Sequence, residues 1–206
     1  MVLSSKTKNF KYLDDLIHSG VGEIVLDSDV SLFKGEEAKY FEGIELDVCD
    51  VIIDAGGHTI DGCGKARIFN CTARNVTIRN AVLKNGFALE SGGAIFNEGN
   101  LNIFDSIFKN NCATEYTGSR GGAIHNDGNM NIANSILSDN VAEFVGGAIN
   151  NTGKLKIIES RILDNSTEGM GGAIFNEGLM DVKSSHFFSN SVRWMVVKFI
   201  KIGILG

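Results

Sequence analysis

The sequence predicts an all-β fold, a parallel β-helix of about six coils closed at its N-terminal end by a short helix. Three observations carry this. A Gly-Gly-Ala-Ile unit recurs at Gly92, Gly121, Gly146 and Gly171, in steps of 29, 25 and 25 residues. Within each unit, apolar residues alternate with polar ones in short runs, the period of a strand with one buried face. Glycine occurs 25 times in 206 residues and proline not once, which suits many tight turns between strands that are paired almost throughout.

Residues 1–22 read as the capping helix. Phe10, Leu13, Leu16 and Ile17 lie at helical spacing, and Gly20 can end the helix. Such a cover is needed because the end of a β-helix is an open sheet edge. Residues 23–190 hold the coils, each with three strands and three turns. The first strand carries an inward Ile (Ile95, Ile124, Ile149, Ile174), followed two places on by an Asn (Asn97, Asn126, Asn151, Asn176) and then by a Gly (Gly99, Gly128, Gly153, Gly178). Asn and Gly tolerate turn conformations that other residues resist. The second strand alternates Leu101/Ile103, Met130/Ile132, Leu155/Ile157 and Met180/Val182. After a Ser (Ser106, Ser135, Ser160, Ser185), a third strand points Phe108, Leu137, Ile162 or Phe187 inward and ends on Asn111, Asn140, Asn165 or Asn190.

Weaker copies extend upstream. Val76/Ile78 and Val51/Ile53 continue the second strand at intervals of 25, Leu83 occupies the Phe108 column, and Ile68-Phe69-Asn70 aligns with Ile95-Phe96-Asn97. Gly86 stands in the closing Asn column and fits a left-handed turn. The four extra residues of the Gly92 unit fall after Cys112, where Thr-Gly-Ser reads as a loop. Residues 191–206 depart from the repeat and read as a closing strand or a truncated tail. Parallel crossovers favour a right-handed coil. Helical repeats need longer runs at three-and-four spacing, and a propeller blade needs about 40 residues. Stacked Asn columns can satisfy backbone groups that the bends would leave unpaired.

The residues that carry chemistry are sparse. A net charge of −6 argues against nucleic acid. Cys49, Cys63, Cys71 and Cys112 lack metal or redox spacing, and His18, His58, His125 and His186 are scattered, so no cofactor or metal is expected. No apolar run spans a bilayer, and residues 1–20 contain no secretory signal, so the chain reads as an intracellular protein or a piece of a longer exported one. Phe96, His125, Asn150 and Phe175 share an outward column that suits sugar rings or a protein partner. Asp54 and Asp61 are the best candidates for a glycosidase pair, but both sit in turns where Asp serves the backbone. Asp105 shares its column with Asn134, Glu159 and Ser184, which gives no acidic stack for calcium. Four Asn-x-Ser/Thr sequons begin at Asn70, Asn75, Asn150 and Asn165.

The Gly-Gly-Ala-Ile units, with Phe108-Lys109-Asn110-Asn111 and Phe187-Phe188-Ser189-Asn190, resemble the GGAI/FxxN repeats of polymorphic outer membrane proteins. The run from Val51 to Gly62, VIIDAGGHTIDG, followed by Asn75-Val76-Thr77-Ile78-Arg79-Asn80, is similar to adhesin-like surface proteins of methanogenic archaea. The resemblance covers residues 8 to 190. It implies a pectate-lyase-like right-handed β-helix displayed extracellularly on the cell surface, non-enzymatic, that binds glycan or a surface protein or serves as a stalk. The alternative class is a polysaccharide lyase or hydrolase, which this fold also hosts.

Overall fold

The computed structural model describes residues 7–114 and 118–193. The chain winds as a β-solenoid in which every strand pairing is parallel, and the strands collect into four sheets of eight, seven, six and five strands. The coil that begins at Gly92 shows the plan: strands Ile95–Asn97, Asn100–Phe104, Ile107–Lys109 and Cys112–Ala113, one for each sheet. A coil therefore has four strands where the sequence predicted three. The fourth is two residues long, too short to display a period, and its inward position is held by Ala88, Ala113, Ala142 and Thr167, all buried.

The sheet containing Asn100–Phe104 has seven rungs, so the solenoid makes seven turns, one more than predicted. The additional turn is the first. Its strands Glu23–Val25, Val30–Ser31 and Ile44–Leu46 stack on the next coil without carrying the repeat motif. The predicted core columns are in register: Leu101, Met130, Leu155 and Met180; Ile103, Ile132, Ile157 and Val182; Phe108, Leu137, Ile162 and Phe187. Fully burying each such side chain contributes about 1.5–3 kcal/mol.

The corners differ from the sequence expectation. Left-handed backbone falls on the residue before the Ser column (Asp105, Asn134, Glu159, Ser184) and on the residue before the closing Asn (Asn110, Asp139, Asp164, Ser189). The Ser holds the first corner: Ser135 Oγ donates to Ala133 O at 2.8 Å and accepts the Ser106 amide of the coil before at 3.1 Å. Gly86 is not left-handed. It is required because a Cβ there would overlap the backbone of Gly93 and Ala94.

The upstream alignment also shifts by one residue. Ile95 pairs with Phe69 and Asn97 with Cys71, so Ile68 stands beside Ala94. Ile68, Phe69 and Cys71 are all buried, as Ala94, Ile95 and Asn97 are in the next coil, and in both coils the amides of the two consecutive inward residues share one carbonyl, Ala94 O or Ala123 O.

Helix α1, Phe10–Ile17, closes the N-terminal end and buries Phe10, Leu13 and Ile17, with Leu16 packed partly against the core. Asn9 caps it by accepting the Tyr12 amide at 3.1 Å, and Gly20 follows its end at φ +83°. Strand Lys8–Asn9 pairs with Val30–Ser31, so the first sheet starts inside the segment assigned to the cap. At the other end, Ser191–Val192 still pairs with Ser166–Thr167. The inward residues Val182 and Phe187 of this last coil are exposed, whereas Ile157 and Ile162 one rung below are fully buried. The predicted closing segment from residue 194 lies outside the described residues.

Candidate functional site

The column of Phe96, His125, Asn150 and Phe175 forms as predicted, one residue above another, and continues down through Asn70 to Glu45. Alternation directs these side chains away from Ile95 and Asn97, to the outer side of the sheet. That side is not open. His125 is 5% exposed and Asn150 0%, while Phe96 and Phe175 are half-buried. Each side chain lies between its neighbours in the column, and the exposed strip predicted from sequence is a covered stack over its middle two rungs. Gly92, Gly121, Gly146 and Gly171 are left-handed and make the turn before each strand so tight that a Cβ on any of them would overlap the carbonyl of Ile95, Ile124, Ile149 or Ile174.

Inside the stack the contacts are specific. The Arg67 guanidinium lies 5.4 Å from the centroid of the Phe96 ring, and Phe96 stacks on His125 at 5.0 Å and 17°. Arg67 itself is buried. It donates from Nε to Gly92 O at 3.1 Å, from Nη2 to Ser91 O at 3.0 Å and from Nη1 to the Glu42 carboxylate at 2.8 Å. Asn150 Nδ2 is 2.9 Å from His125 Nδ1, and His125 Nε2 is 3.0 Å from Asp127 Oδ1. The consistent assignment is a neutral imidazole that accepts at Nδ1 and donates at Nε2. Burial pushes the His125 pKa below its ordinary value, with Asp127 opposing the shift. Asn150 Oδ1 is buried without a hydrogen-bond partner.

The remaining predicted columns are ladders. Asn97, Asn126, Asn151 and Asn176 are linked by Nδ2-to-Oδ1 bonds of 2.6 Å from each rung to the next. Asn111, Asn140, Asn165 and Asn190 are linked at 2.9 Å, and each Oδ1 also accepts the backbone amide of the Asn before it. The first ladder stops at Cys71, whose thiol stands where another Asn would donate. Asn97 Oδ1 is consequently buried and unpartnered.

The candidate acid pair lies on two different sheets. Asp54 ends strand Ile52–Asp54 and Asp61 ends strand Thr59–Asp61. Asp54 accepts from Asn80 Nδ2 at 2.9 Å, the Gly56 amide at 2.9 Å and Arg79 Nε at 2.8 Å. The Asn80 bond is the leading cause of its lowered pKa, the opposite of what a general acid needs. Asp61 accepts from the Cys63 amide and Asn85 Nδ2. A shallow groove of about 570 Å³ is lined by Gly56, Gly57, Asn80, Val82, Asp105 and Ile107, and its one carboxylate, Asp105, accepts from Asn134 Nδ2. Among the described residues, no three His, Cys, Asp or Glu converge as metal ligands. The described cysteines are free, and burial pushes the Cys71 thiol up to about 12.

Residues 105–127 match the Chlamydia polymorphic membrane protein (Chlamydia_PMP) repeat. The matched repeat starts at the left-handed corner Asp105, runs through Ser106, Phe108 and Asn111, and ends with Gly-Gly-Ala-Ile-His-Asn-Asp. It therefore takes in three of a coil's four strands, from one corner to the end of strand Ile124–Asn126, and includes His125, Ser106, Asn111 and Asn126. No curated protein and no solved structure matches the chain. No helix among the described residues is long and apolar enough to cross a membrane.

Proposed function

We propose that this chain is a non-enzymatic segment of a cell-surface adhesin-like protein that binds glycan or protein through its outer face or serves as a stalk. The observation that carries the reading is the repeat match at residues 105–127, on a coil whose polar columns are taken up by stacking. Cell-surface display, the kinship with archaeal adhesin-like proteins and a right-handed, pectate-lyase-like winding all belong to this proposal. The covered middle of the Phe96 column shifts the expected contact to its ends. Phe175 is the better candidate, because Phe96 is occupied by Arg67 and His125.

The test uses the purified chain on a glycan array and on intact cells, beside Phe175→Ala. Binding that Phe175→Ala weakens supports the outer-face reading. Blank results on both surfaces overturn the adhesive part and leave the stalk. Release of product from polyuronides or other glycans, with or without calcium, overturns the non-enzymatic part. An antibody to the chain should label unpermeabilised source cells, and labelling only after permeabilisation overturns the surface location.

A further inference from the structure

The fold separates the four sequons into three kinds. Asn165 and its hydroxyl partner Thr167 are both fully buried, and Asn165 is a rung of the closing ladder. Asn150 is fully buried against His125. Asn70 lies in the middle of strand Phe69–Cys71, paired on both sides, with its Nδ2 held by both oxygens of Glu45 at 3.0 and 3.1 Å. Asn75 is different. It is exposed, sits in a left-handed corner at φ +58° ahead of strand Val76–Arg79, and its amide meets the exposed Asp50 carboxylate at 2.9 Å. Thr77, two places on, is on the outer side of that strand and partly exposed, between Ile52 and Asn102.

An N-glycan acceptor must offer both the amide and the following hydroxyl to an external enzyme, which limits such sites to surface turns. We propose that Asn75 is an N-glycan acceptor whose donor is a lipid-diphosphate-linked oligosaccharide presented by an oligosaccharyltransferase. In the transfer, Asn75 Nδ2 forms a bond to C1 of the first sugar. The C1–O bond to the lipid diphosphate breaks, and the diphosphate leaves with the electron pair. Nδ2 gives up one proton to a base of the transferase. The Thr77 hydroxyl is the recognition group. The site rests on the surface reading above, because the donor is found only outside the cytoplasm or in the secretory compartment. The corner is suited to the modification: Asn75 is exposed just ahead of strand Val76–Arg79, outside the paired residues of that strand, so a glycan attached there parts no strand pairing and disturbs one bond, to the exposed Asp50.

The experiment gives the folded chain to a purified oligosaccharyltransferase with a lipid-linked oligosaccharide. Intact mass and glycopeptide mapping then read the product. One glycan on Asn75 is the expected result. Asn75→Gln should remove the added mass. Thr77→Val should also remove it while leaving the left-handed Asn in place and a β-branched residue in the strand. No transfer to the folded chain, transfer to Asn70 instead, or a glycan that survives Thr77→Val overturns the site. This reads acceptor competence alone. Failure of the surface reading shows separately, as absent labelling of unpermeabilised cells.

Discussion

The coils before Ser91 and those after it build the same corners with different chemistry. Downstream, identical uncharged groups stack: Asn on Asn, Ser on Ser, buried and 25 or 29 residues apart. Upstream, Gly86, Ala81 and Cys71 stand in those columns and pass no ladder on, and charge is found instead in the outward columns beside them. Arg79 bridges Asp54 and Glu23, Lys84 meets Asp61, Asn70 meets Glu45 and Asn75 meets Asp50. The left-handed corners are common to both, at Asn80 and Asn85 as at Asn134 and Asp139. The backbone dictates that a corner must be bonded and leaves open which groups do it. A self-complementary amide extends indefinitely, because each rung presents to the next what it received from the last. Cys71, Ala81 and Gly86 present no such group, and the ladders end on them.

This difference can be broken at graded cost, read by urea melts. Gly122→Ala should cost most, about 3 kcal/mol or more, because its Cβ would overlap the carbonyls of Val141 and Gly147, and backbone cannot step aside as a side chain can. Gly64→Ala is the control, left-handed but in open space, and should cost about 1 kcal/mol. Asn140→Ala comes next. It strips partners from the Asn111 amide, Asn111 Nδ2, Asn165 Oδ1 and Phe108 O, a loss of about 3 kcal/mol spread over three coils. Arg67→Met keeps bulk against Phe96 but leaves Gly92 O and Ser91 O without their donor, about 2 kcal/mol.

Two histidines set the regions against each other in pH. His125 is buried with its pKa lowered from 6.5. As pH falls below 6.5 the unfolded chain takes the proton first, so stability declines until the folded imidazole titrates too. His18 is raised from 6.5, first by its bond to the Asp14 carbonyl and further by Asp47. Its contribution is complete below 6.5 and is lost as pH rises through the folded value. His125→Gln should flatten the acid side of the stability profile, and His18→Gln should steepen it. Matching profiles for the two variants would show that buried His125 and His18 at the end of helix α1 do not differ in this way.

How much of this was legible follows from what repeats. The Ile, Leu and Asn columns could be read because each recurs at the coil period and alternates along its strand. The cap could be read from Phe10, Leu13 and Ile17. The alanine strands could not, because two residues show no alternation. Nor could the corner residues, since Glu159 and Ser184 do not announce a left-handed backbone as Asn does. The burial of His125 and Asn150 depends on stacking with Phe96 and with each other, which a column of mixed residue types does not announce. The Ile68 alignment failed because Ile68 stands in the column of Ala94, the first of two consecutive inward residues, which a two-residue period does not allow.

The smallest expected effect tests whether the upstream ion pairs carry as much stability as the downstream amides. Arg79 is 37% exposed, with Nε 2.8 Å from Asp54 and Nη2 2.7 Å from Glu23. Pairs of this kind are screened by salt and restrained by side-chain entropy. Arg79→Met also leaves Asp54 with its Asn80 and Gly56 donors, so no acceptor is stranded. Its loss should be smaller than that of any ladder variant and should vanish in about 1 M salt, where the screening length is about 3 Å. Asp54 has its pKa lowered from 3.8, chiefly by Asn80, so its contribution is present above 3.8 and lost as pH falls through the folded value. That acid limb should survive Arg79→Met and shrink in Asn80→Ala. If Arg79→Met instead cost as much as Asn140→Ala, the ion pairs would be structural equals of the ladder, and the upstream corners would depend on charge rather than on the amide that reaches across from the next coil.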